Sequence, residues 1–569
     1  MSSRDDGAMA PHVVETIQTS PFDGQKPGTS GLRKPVAIFQ QPHYTENFIQ
    51  AGLISGLGDK VKGSCLVVGG DGRFFVKEAA QLIIKIAAAN GVSKLVIGQH
   101  GILSTPAVSH IIRKYKLDGG FILTASHNPG GPKGDFGMKY NTHNGGPAPE
   151  SVTNHLFELT KTISEYKIVP NVKANLDELG SQSFQIQGEQ FTVEIIDQTK
   201  DYVEMVKDIF DFDLLRGFLK TKRVLINGMN GVTGPYIKKI FIEEFGLPEE
   251  MCLNCIPLPD FGGRHPDPNL TYAKDLVDIM KEGRHDFAAA FDGDGDRNMI
   301  LGHSAFFVTP CDSLAVLAAH LETIPYFKRN GVNGYARSMP TSGAVDLVGK
   351  KYGKEYFETP TGWKFFGNLM DANRISLCGE ESFGTGSNYI REKDGIWAAL
   401  AWLSVMANTG QSVKEILTSH WSTFGRHYFS RYDYEQVSSE AGDKLMEGLT
   451  KLINDPKTVG MTFSDPTGKS YKMAACDNFE YHDPIDGSVS KNQGIRLMFE
   501  DGSRIVFRLS GTGSSGATVR LYVEGYEQES DPNSYLQDAQ DVLKPLITIA
   551  LRTSKLKELS GRDEPTVIT

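Results

Sequence analysis

Short β-branched runs alternate with stretches of three-and-four apolar spacing through the first three quarters of the chain. CLVVGG (65–70) is followed by KEAAQLIIKIAAANG, then KLVIGQ, a second helical stretch through HIIRKY, and FILTAS. Short apolar runs predict strands and three-and-four recurrence predicts helices, so this order predicts a βαβαβ unit with a mostly parallel sheet. The pattern returns at RVLING (223–228) with GPYIKKIFIEEFG and ends in FAAAF (287–291). It returns once more at GYARS, SGAVDLVGKKYG, YFETP and ISLCGEES, before the apolar helix IWAALAWLSVMA. From residue 427 onward the pattern changes. MTFSDPTGKSYKMAACDN, GIRLMFEDGSRIVFRLSG and ATVRLYVEGYE read as strands joined by turns, with an amphipathic helix from Tyr535 to about Leu551. That combination predicts an α+β domain with an antiparallel sheet. The expected division is a mobile N-terminal tail over 1–20, α/β units over 21–200, 201–306 and 307–426, and the α+β unit over 427–569.

Composition narrows the class. The 569 residues exceed one ordinary core and suit three to five domains. Fifty-nine Lys and Arg against 69 Asp and Glu leave a net charge of −10, without the basic field of a nucleic-acid binder. Six cysteines are too sparse for a disulfide framework, which points to a reducing compartment. The lone C-x-x-C at Cys252 and Cys255 has no second pair, so buried thiols are expected there rather than a metal site. The longest apolar stretch, Ile396 to Ala407, is shorter than the ~20 residues that span a bilayer. A soluble, cytoplasmic protein without integral membrane association is expected.

Four polar or glycine-rich loops follow predicted strands, where open α/β sheets place ligands. Thr124-Ala125-Ser126-His127-Asn128-Pro129-Gly130-Gly131 lacks the glycines of a hydrolase elbow, and neighbours in an extended turn point apart. It reads either as a polar turn capped by His127 or, with Lys139 near, as a serine carrying a transferable phosphoryl group. Asp292-Gly293-Asp294-Gly295-Asp296-Arg297 begins like an EF-hand, but Arg297 and His303 occupy the positions that loop reserves for glycine and glutamate. Three carboxylates at alternate positions still suit a hard cation with coordination places left for phosphate. Gly379-Glu380-Glu381-Ser382-Phe383-Gly384, between Thr361-Gly362-Trp363-Lys364 and Arg391-Glu392-Lys393-Asp394-Gly395, suits the vicinal hydroxyls of a sugar, with an ion-paired surface loop as the alternative. Arg508-Leu509-Ser510-Gly511-Thr512-Gly513-Ser514-Ser515-Gly516 matches G-x-G-x-x-G but precedes a strand, not a helix. With Arg520 beyond it, this loop describes a phosphate cradle.

TASHNPGG, DGDGDRNM, GEESFG and RLSGTGS, in that order and with QKPGTSGLRK, DFGGRHPDPNLTYA and TGWKFFGNLMDA between them, resemble the α-D-phosphohexomutases. The eukaryotic phosphoglucomutase branch, with its parafusin-type relatives, is the nearest in pattern. The resemblance covers nearly everything after residue 20. It implies a heart-shaped fold of three similar α/β domains plus an α+β domain, and reversible interconversion of glucose 1-phosphate and glucose 6-phosphate. By motif match, Ser126 would carry the phosphoryl group, and Asp292, Asp294 and Asp296 would hold Mg²⁺ together with a phosphoserine oxygen. Glu380 and Ser382 would grip sugar hydroxyls, and Arg508, Ser510, Thr512 and Arg520 the phosphate that stays. Arg33, His127, Lys139, Arg297, Thr361, Gly362 and Lys393 fall on cleft positions, with Lys139 first and His127 second for proton transfer. Lys133, Arg264 and Asn388-Tyr389 depart from the family pattern without replacing any of these residues.

The implied chemistry passes through glucose 1,6-bisphosphate, which must turn over between half-reactions, and this places an expected hinge near residues 420–430. Expected partners are small sugar phosphates, on a monomer or weak dimer. The alternatives are a parafusin-like scaffold or phosphoglycoprotein role and phosphomannomutase activity.

Overall fold

The structure is a computed structural model that describes residues 12–28, 30–513, 516–529 and 532–569. The chain packs into two compact units: one runs up to Pro268 and adds Ala289–Asn298 and Tyr389–Ala399, and the other takes Asn269–Ala288, Met299–Asn388 and Leu400–Thr569.

The βαβαβ run of the first unit forms the middle of a seven-stranded sheet. Its spatial order is Leu32–Pro35, Asp135–Thr142, Gly119–Leu123, Cys65–Gly70, Lys94–Ile102, Glu189–Ile196 and Gly180–Ile186. The four strands from Gly119–Leu123 to Glu189–Ile196 are parallel. The remaining pairings are antiparallel, so half the ladder is parallel. The central strands are apolar and buried because helices Val76–Ala89 and Thr105–Tyr115 connect them by crossovers. Ser104 caps the second helix by accepting from the Ala107 N–H at 3.2 Å, with Pro106 in its first turn.

One expectation is corrected at the N-terminus. Glu15–Gln18 forms a strand paired antiparallel with Glu165–Ile168, and the His12 ring meets Phe184 edge-on. The tail expected over 1–20 therefore does not extend to residue 20; its first eleven residues lie outside those described. A four-residue strand shows too little alternation to stand out, and its partner lies some 150 positions away.

The second unit carries, among its sheets, one of four strands and one of seven. In the smaller, Gly334–Ser338 runs parallel to both Glu355–Thr359 and Leu377–Glu380, and the latter turns back antiparallel into Gly384–Ser387. The larger is antiparallel throughout, in the order Thr462–Ser464, Ser470–Asn478, Ile495–Phe499, Arg504–Gly513, Gly516–Glu527, Arg426–Val437 and Val567–Ile568. Period-two alternation splits this sheet into two faces. Ile505, Phe507, Val519, Leu521, Val523, Tyr432 and Tyr434 pack against helices Ser439–Asn454 and Ala539–Ser554. Arg504, Arg508, Arg520, Glu524, Arg431 and Asp433 share the opposite face, with Val506, Tyr522 and Phe429 in an apolar cluster that includes Cys311, Met339 and Phe365. The expected helix from Tyr535 begins later, at Ala539, because Asp538 caps it by accepting from the Gln540 N–H at 2.8 Å.

The segment of the expected hinge is a packed corner. Helix Val413–Phe424 ends at Gly425, and the Arg426 guanidinium lies 4.4 Å from the Trp421 ring centre and 3.9 Å from that of Tyr428. The Tyr526 hydroxyl donates to the Phe424 carbonyl at 3.0 Å. A bend there has to break these contacts. Among the described residues no helix is long and apolar enough to cross a membrane.

Candidate functional site

In the first unit, the loop after Gly119–Leu123 presents Ser126, buried and with φ of 52°. Both its backbone polar groups are tied to one buried carboxylate. The Ser126 N–H donates to Thr124 Oγ1 at 2.7 Å, and that hydroxyl donates to Asp71 at 2.6 Å. The Ser126 carbonyl accepts from Arg73 at 2.8 Å, and Arg73 pairs with Asp71 at 2.8 Å, both side chains being wholly buried. The Ser126 hydroxyl is left to donate to Asp292 at 2.9 Å. The left-handed turn also brings His127 Nδ1 to 3.4 Å from Ser126 Oγ, which corrects the expectation that these neighbours point apart. Burial first, then the charges of Arg297 and Arg33, pulls the His127 imidazole well below its ordinary pKa. The ring sits 6.2 Å from that of His265.

The strand Phe287–Phe291 delivers the three aspartates. One oxygen of each lies within 4.8 Å of the others, and all three residues are buried. A Cβ at Gly293 would meet the Ser126 carbonyl at 2.6 Å, so the close approach of the two loops requires glycine there. Thr105 Oγ1 donates to Asp294 Oδ2 at 2.7 Å, and the Arg297 N–H donates to Asp292 Oδ1 at 3.0 Å. Asp294 Oδ1 and Asp296 Oδ1 are buried with no hydrogen-bond partner among the described residues. Burial, then the adjacent Asp294 and Asp296, pushes Asp292 well above the carboxylate range. Clustered carboxylates with orphaned oxygens fit a hard divalent cation.

Lys139 is buried and bonds Glu392 at 2.5 Å, and Asn141 donates to the same oxygen at 2.9 Å. Burial raises the Glu392 carboxyl, against the pull of Lys139. The segment carrying Glu392 and Lys393 is fastened to the aspartate loop by the Gly395 N–H, which donates to the Gly295 carbonyl at 3.0 Å. Arg33 is half-buried; burial lowers its guanidinium while Asp294 raises it. Arg297 stands 3.6 Å from Asp267. Of the sequence-derived residues, Arg33, Ser126, His127, Lys139, the three aspartates, Arg297 and Lys393 thus belong to this unit.

The others belong to the second unit. Glu380 ends its strand and accepts from the Gly362 N–H at 3.2 Å, and the half-buried Ser382 sits in the turn that follows. Arg508 donates to Thr361 Oγ1 at 2.8 Å and stands directly across the ladder from Arg520, with Ser510 opposite Thr518. Thr512 has its backbone in the strand Arg504–Gly513, but its side chain lies outside those described. Sequence reasoning did not single out Asp71, Arg73, Glu392, Arg431 or Asp433. Of these, only Glu392 lay within a quoted motif. Cys252 and Cys255 are half-buried free thiols, which burial raises to about 12 and about 11.

Profiles of phosphoglucomutase/phosphomannomutase alpha/beta/alpha domains I, II and III match residues 24–167, 200–304 and 310–424, and that of the phosphoglucomutase-1 C-terminal domain matches 426–566. The chain is 59% identical over 563 residues to phosphoglucomutase 1 of Drosophila melanogaster, and 58% identical over 562 to human phosphoglucomutase-1, covering 98% of this chain and all of each relative. The crystal structure of the exocytosis-sensitive phosphoprotein pp63/parafusin, a phosphoglucomutase from Paramecium in its open form, superposes with a TM-score of 0.89 at 48% identity, covering 99% of this chain and all of that one. Full-length identity at this level, with all four domain profiles in order, places the chain in the phosphoglucomutase/phosphomannomutase family.

Proposed function

We propose that the protein is a phosphoglucomutase, interconverting α-D-glucose 1-phosphate and glucose 6-phosphate through phosphorylated Ser126 and a glucose 1,6-bisphosphate intermediate. The observation that carries this reading is the buried Ser126 hydroxyl, 2.9 Å from Asp292 and inside a clamp that fixes its backbone. Phosphoryl transfer asks for positioning and charge neutralisation more than for covalent help, and the site supplies both. A sugar hydroxyl attacks phosphorus, the bond from phosphorus to Ser126 Oγ breaks, and the hydroxyl proton leaves to a base. The bisphosphate then presents its other phosphate to Ser126, and the steps reverse.

His127, uncharged and beside Oγ, suits proton acceptance there, whereas Lys139 is engaged by Glu392. Asp292, Asp294 and Asp296, with an oxygen of phosphorylated Ser126, would hold Mg²⁺, which neutralises charge on the transferring group. In the second unit Glu380 and Ser382 take the sugar hydroxyls, while Arg508, Ser510, Thr512 and Arg520 take the phosphate that stays. The six free cysteines suit a reducing, cytoplasmic setting.

The test is Ser126→Ala in the full chain. It folds, loses nearly all turnover, and lacks the phosphate that mass spectrometry finds on the Ser126 peptide of the parent. Wild-type turnover in this variant removes the mechanism. A coupled assay with mannose 1-phosphate beside glucose 1-phosphate separates the phosphomannomutase alternative.

A further inference from the structure

The charged face of the seven-stranded sheet carries an arginine that the phosphate motif does not include. Arg431 stands across the ladder from Tyr522, one step along the same face from the opposed pair Asp433 and Arg520. Its Nε lies 3.1 Å from Asp433 Oδ1, and its Nη1 lies 3.8 Å from Glu381 Oε1. Glu381 is the neighbour of Glu380 in the sugar loop, and its backbone N–H is held by Thr341 Oγ1 at 2.8 Å. Arg520 reaches the same Asp433 oxygen from farther away, 3.8 Å.

Exposure assigns the two arginines different places. The Arg520 side chain is 35% exposed, against 13% for Arg431, 7% for Asp433 and 3% for Glu381. Arg520 is therefore the arginine a ligand meets, and Arg431 lies behind it. Arg520 Nε and the Tyr522 hydroxyl are buried and have no hydrogen-bond partner among the described residues.

We propose that Arg431 is a positioning residue which neutralises Asp433 and Glu381, and so keeps Arg520 free for the ligand phosphate. The proposal rests on the reading that Arg508 and Arg520 bind phosphate. The charges decide it. Arg431, Arg508 and Arg520 against Asp433 and Glu381 leave one positive charge for a dianion. Without Arg431 the group is neutral, Asp433 turns to Arg520, and Glu381 is a buried carboxylate left with only the Ser338 and Thr341 hydroxyls, at 3.3 and 3.4 Å, to offset its charge. On this reading Arg431 acts through the two carboxylates it meets, Asp433 and Glu381.

The experiment is steady-state kinetics of the full chain with Mg²⁺, for Arg431→Gln, Arg431→Lys, Asp433→Asn, the double variant Arg431→Gln/Asp433→Asn, and Arg520→Ala. Arg431→Gln raises KM for glucose 1-phosphate about tenfold or more and changes kcat less than about threefold, since the loss is in phosphate binding. Arg431→Lys, which keeps the charge, falls between it and the parent. The double variant returns KM to within about threefold of the parent, because the carboxylate that captures Arg520 is gone. A role confined to stability, or direct contact of Arg431 with phosphate, gives no such rescue, and its absence overturns the proposal. If Arg431→Gln does not fold, Arg431→Lys and the double variant Arg431→Lys/Asp433→Asn decide: the first raises KM, the second returns it to within about threefold of the parent, and a double variant as impaired as Arg431→Lys overturns the proposal. Arg520→Ala separates the layers. If it leaves KM unaltered, the phosphate cradle itself is misassigned; if it raises KM while Arg431→Gln does not, only the positioning role fails.

Discussion

A left-handed backbone at a residue with a β-carbon costs on the order of 1–3 kcal/mol, and it persists where the surroundings over-determine it. At Ser126 those surroundings are visible: Thr124 and Arg73 hold its N–H and carbonyl, and Asp71 holds both of them. Gly293 closes the arrangement from the aspartate side, where a methyl group would meet the Ser126 carbonyl oxygen. Gly293→Ala is expected to displace the serine loop. Turnover should fall about 100-fold, as misplacement of a reacting group by about 1 Å can cost. Stability should fall by only about 1–3 kcal/mol, the usual cost of overpacking. Coupled-assay kinetics beside urea unfolding of the same sample checks the split, and unaltered turnover would show that this approach does not position Ser126.

Among elements, the charged face of the seven-stranded sheet carries a buried ionic lattice. Glu358 accepts from Arg337 at 2.9 Å, Arg496 at 2.6 Å and Arg504 at 3.2 Å, while Glu524 accepts from Arg504 at 2.9 Å and His427 at 2.6 Å. Burial alone would raise both carboxyls, but Arg337 and Arg504 hold Glu358, and Arg504 and His427 hold Glu524, at about 2. A carboxyl lowered on folding contributes stability that is complete above its unfolded value and is lost as pH falls toward the folded one. Stability should therefore drop between about pH 4.5 and pH 2, by about 3 kcal/mol for Glu524. Glu524→Gln should lower the urea midpoint at pH 7 and flatten the acid limb; an equally steep limb would assign the loss to other groups. This lattice also marks where the sequence stops being legible. The four loops stood out because glycine, aspartate and serine interrupt apolar strands at the ends where ligands bind. Arg504, Glu524, Arg431 and Asp433 look like the solvent side of an alternating strand, and nothing in RYDYE or VRLYVE tells that its polar face is also covered. Asp71 and Arg73 read as an ordinary turn, and the pairing of Lys139 with Glu392 spans some 250 positions that no local pattern connects.

At the scale of the whole molecule, a cation held by the aspartate trio would link binding to folding, since it would give partners to the buried Asp294 Oδ1 and Asp296 Oδ1, which have none among the described residues. Mg²⁺ at about 100 times its dissociation constant should stabilise the native chain by about 2.7 kcal/mol, read as a rise in melting temperature. Asp294→Asn should lose most of that rise together with activity, and full activity after thorough chelation would count against the metal. The first unit also has an unusual pedigree along the chain, because residues up to Pro268 are completed by two later insertions, the last ending at Ala399. During synthesis at roughly 5–20 residues per second, Ser126 leaves the ribosome long before Glu392 exists, and about 130 residues, or some 7–25 s, separate Pro268 from Ala399. For that interval the nascent chain carries a serine loop without the segment that supplies the partner of Lys139. The unit cannot assemble in full until the strands Gly334–Ser338 to Gly384–Ser387 have been translated, so the ribosome sets the earliest time at which it can be complete.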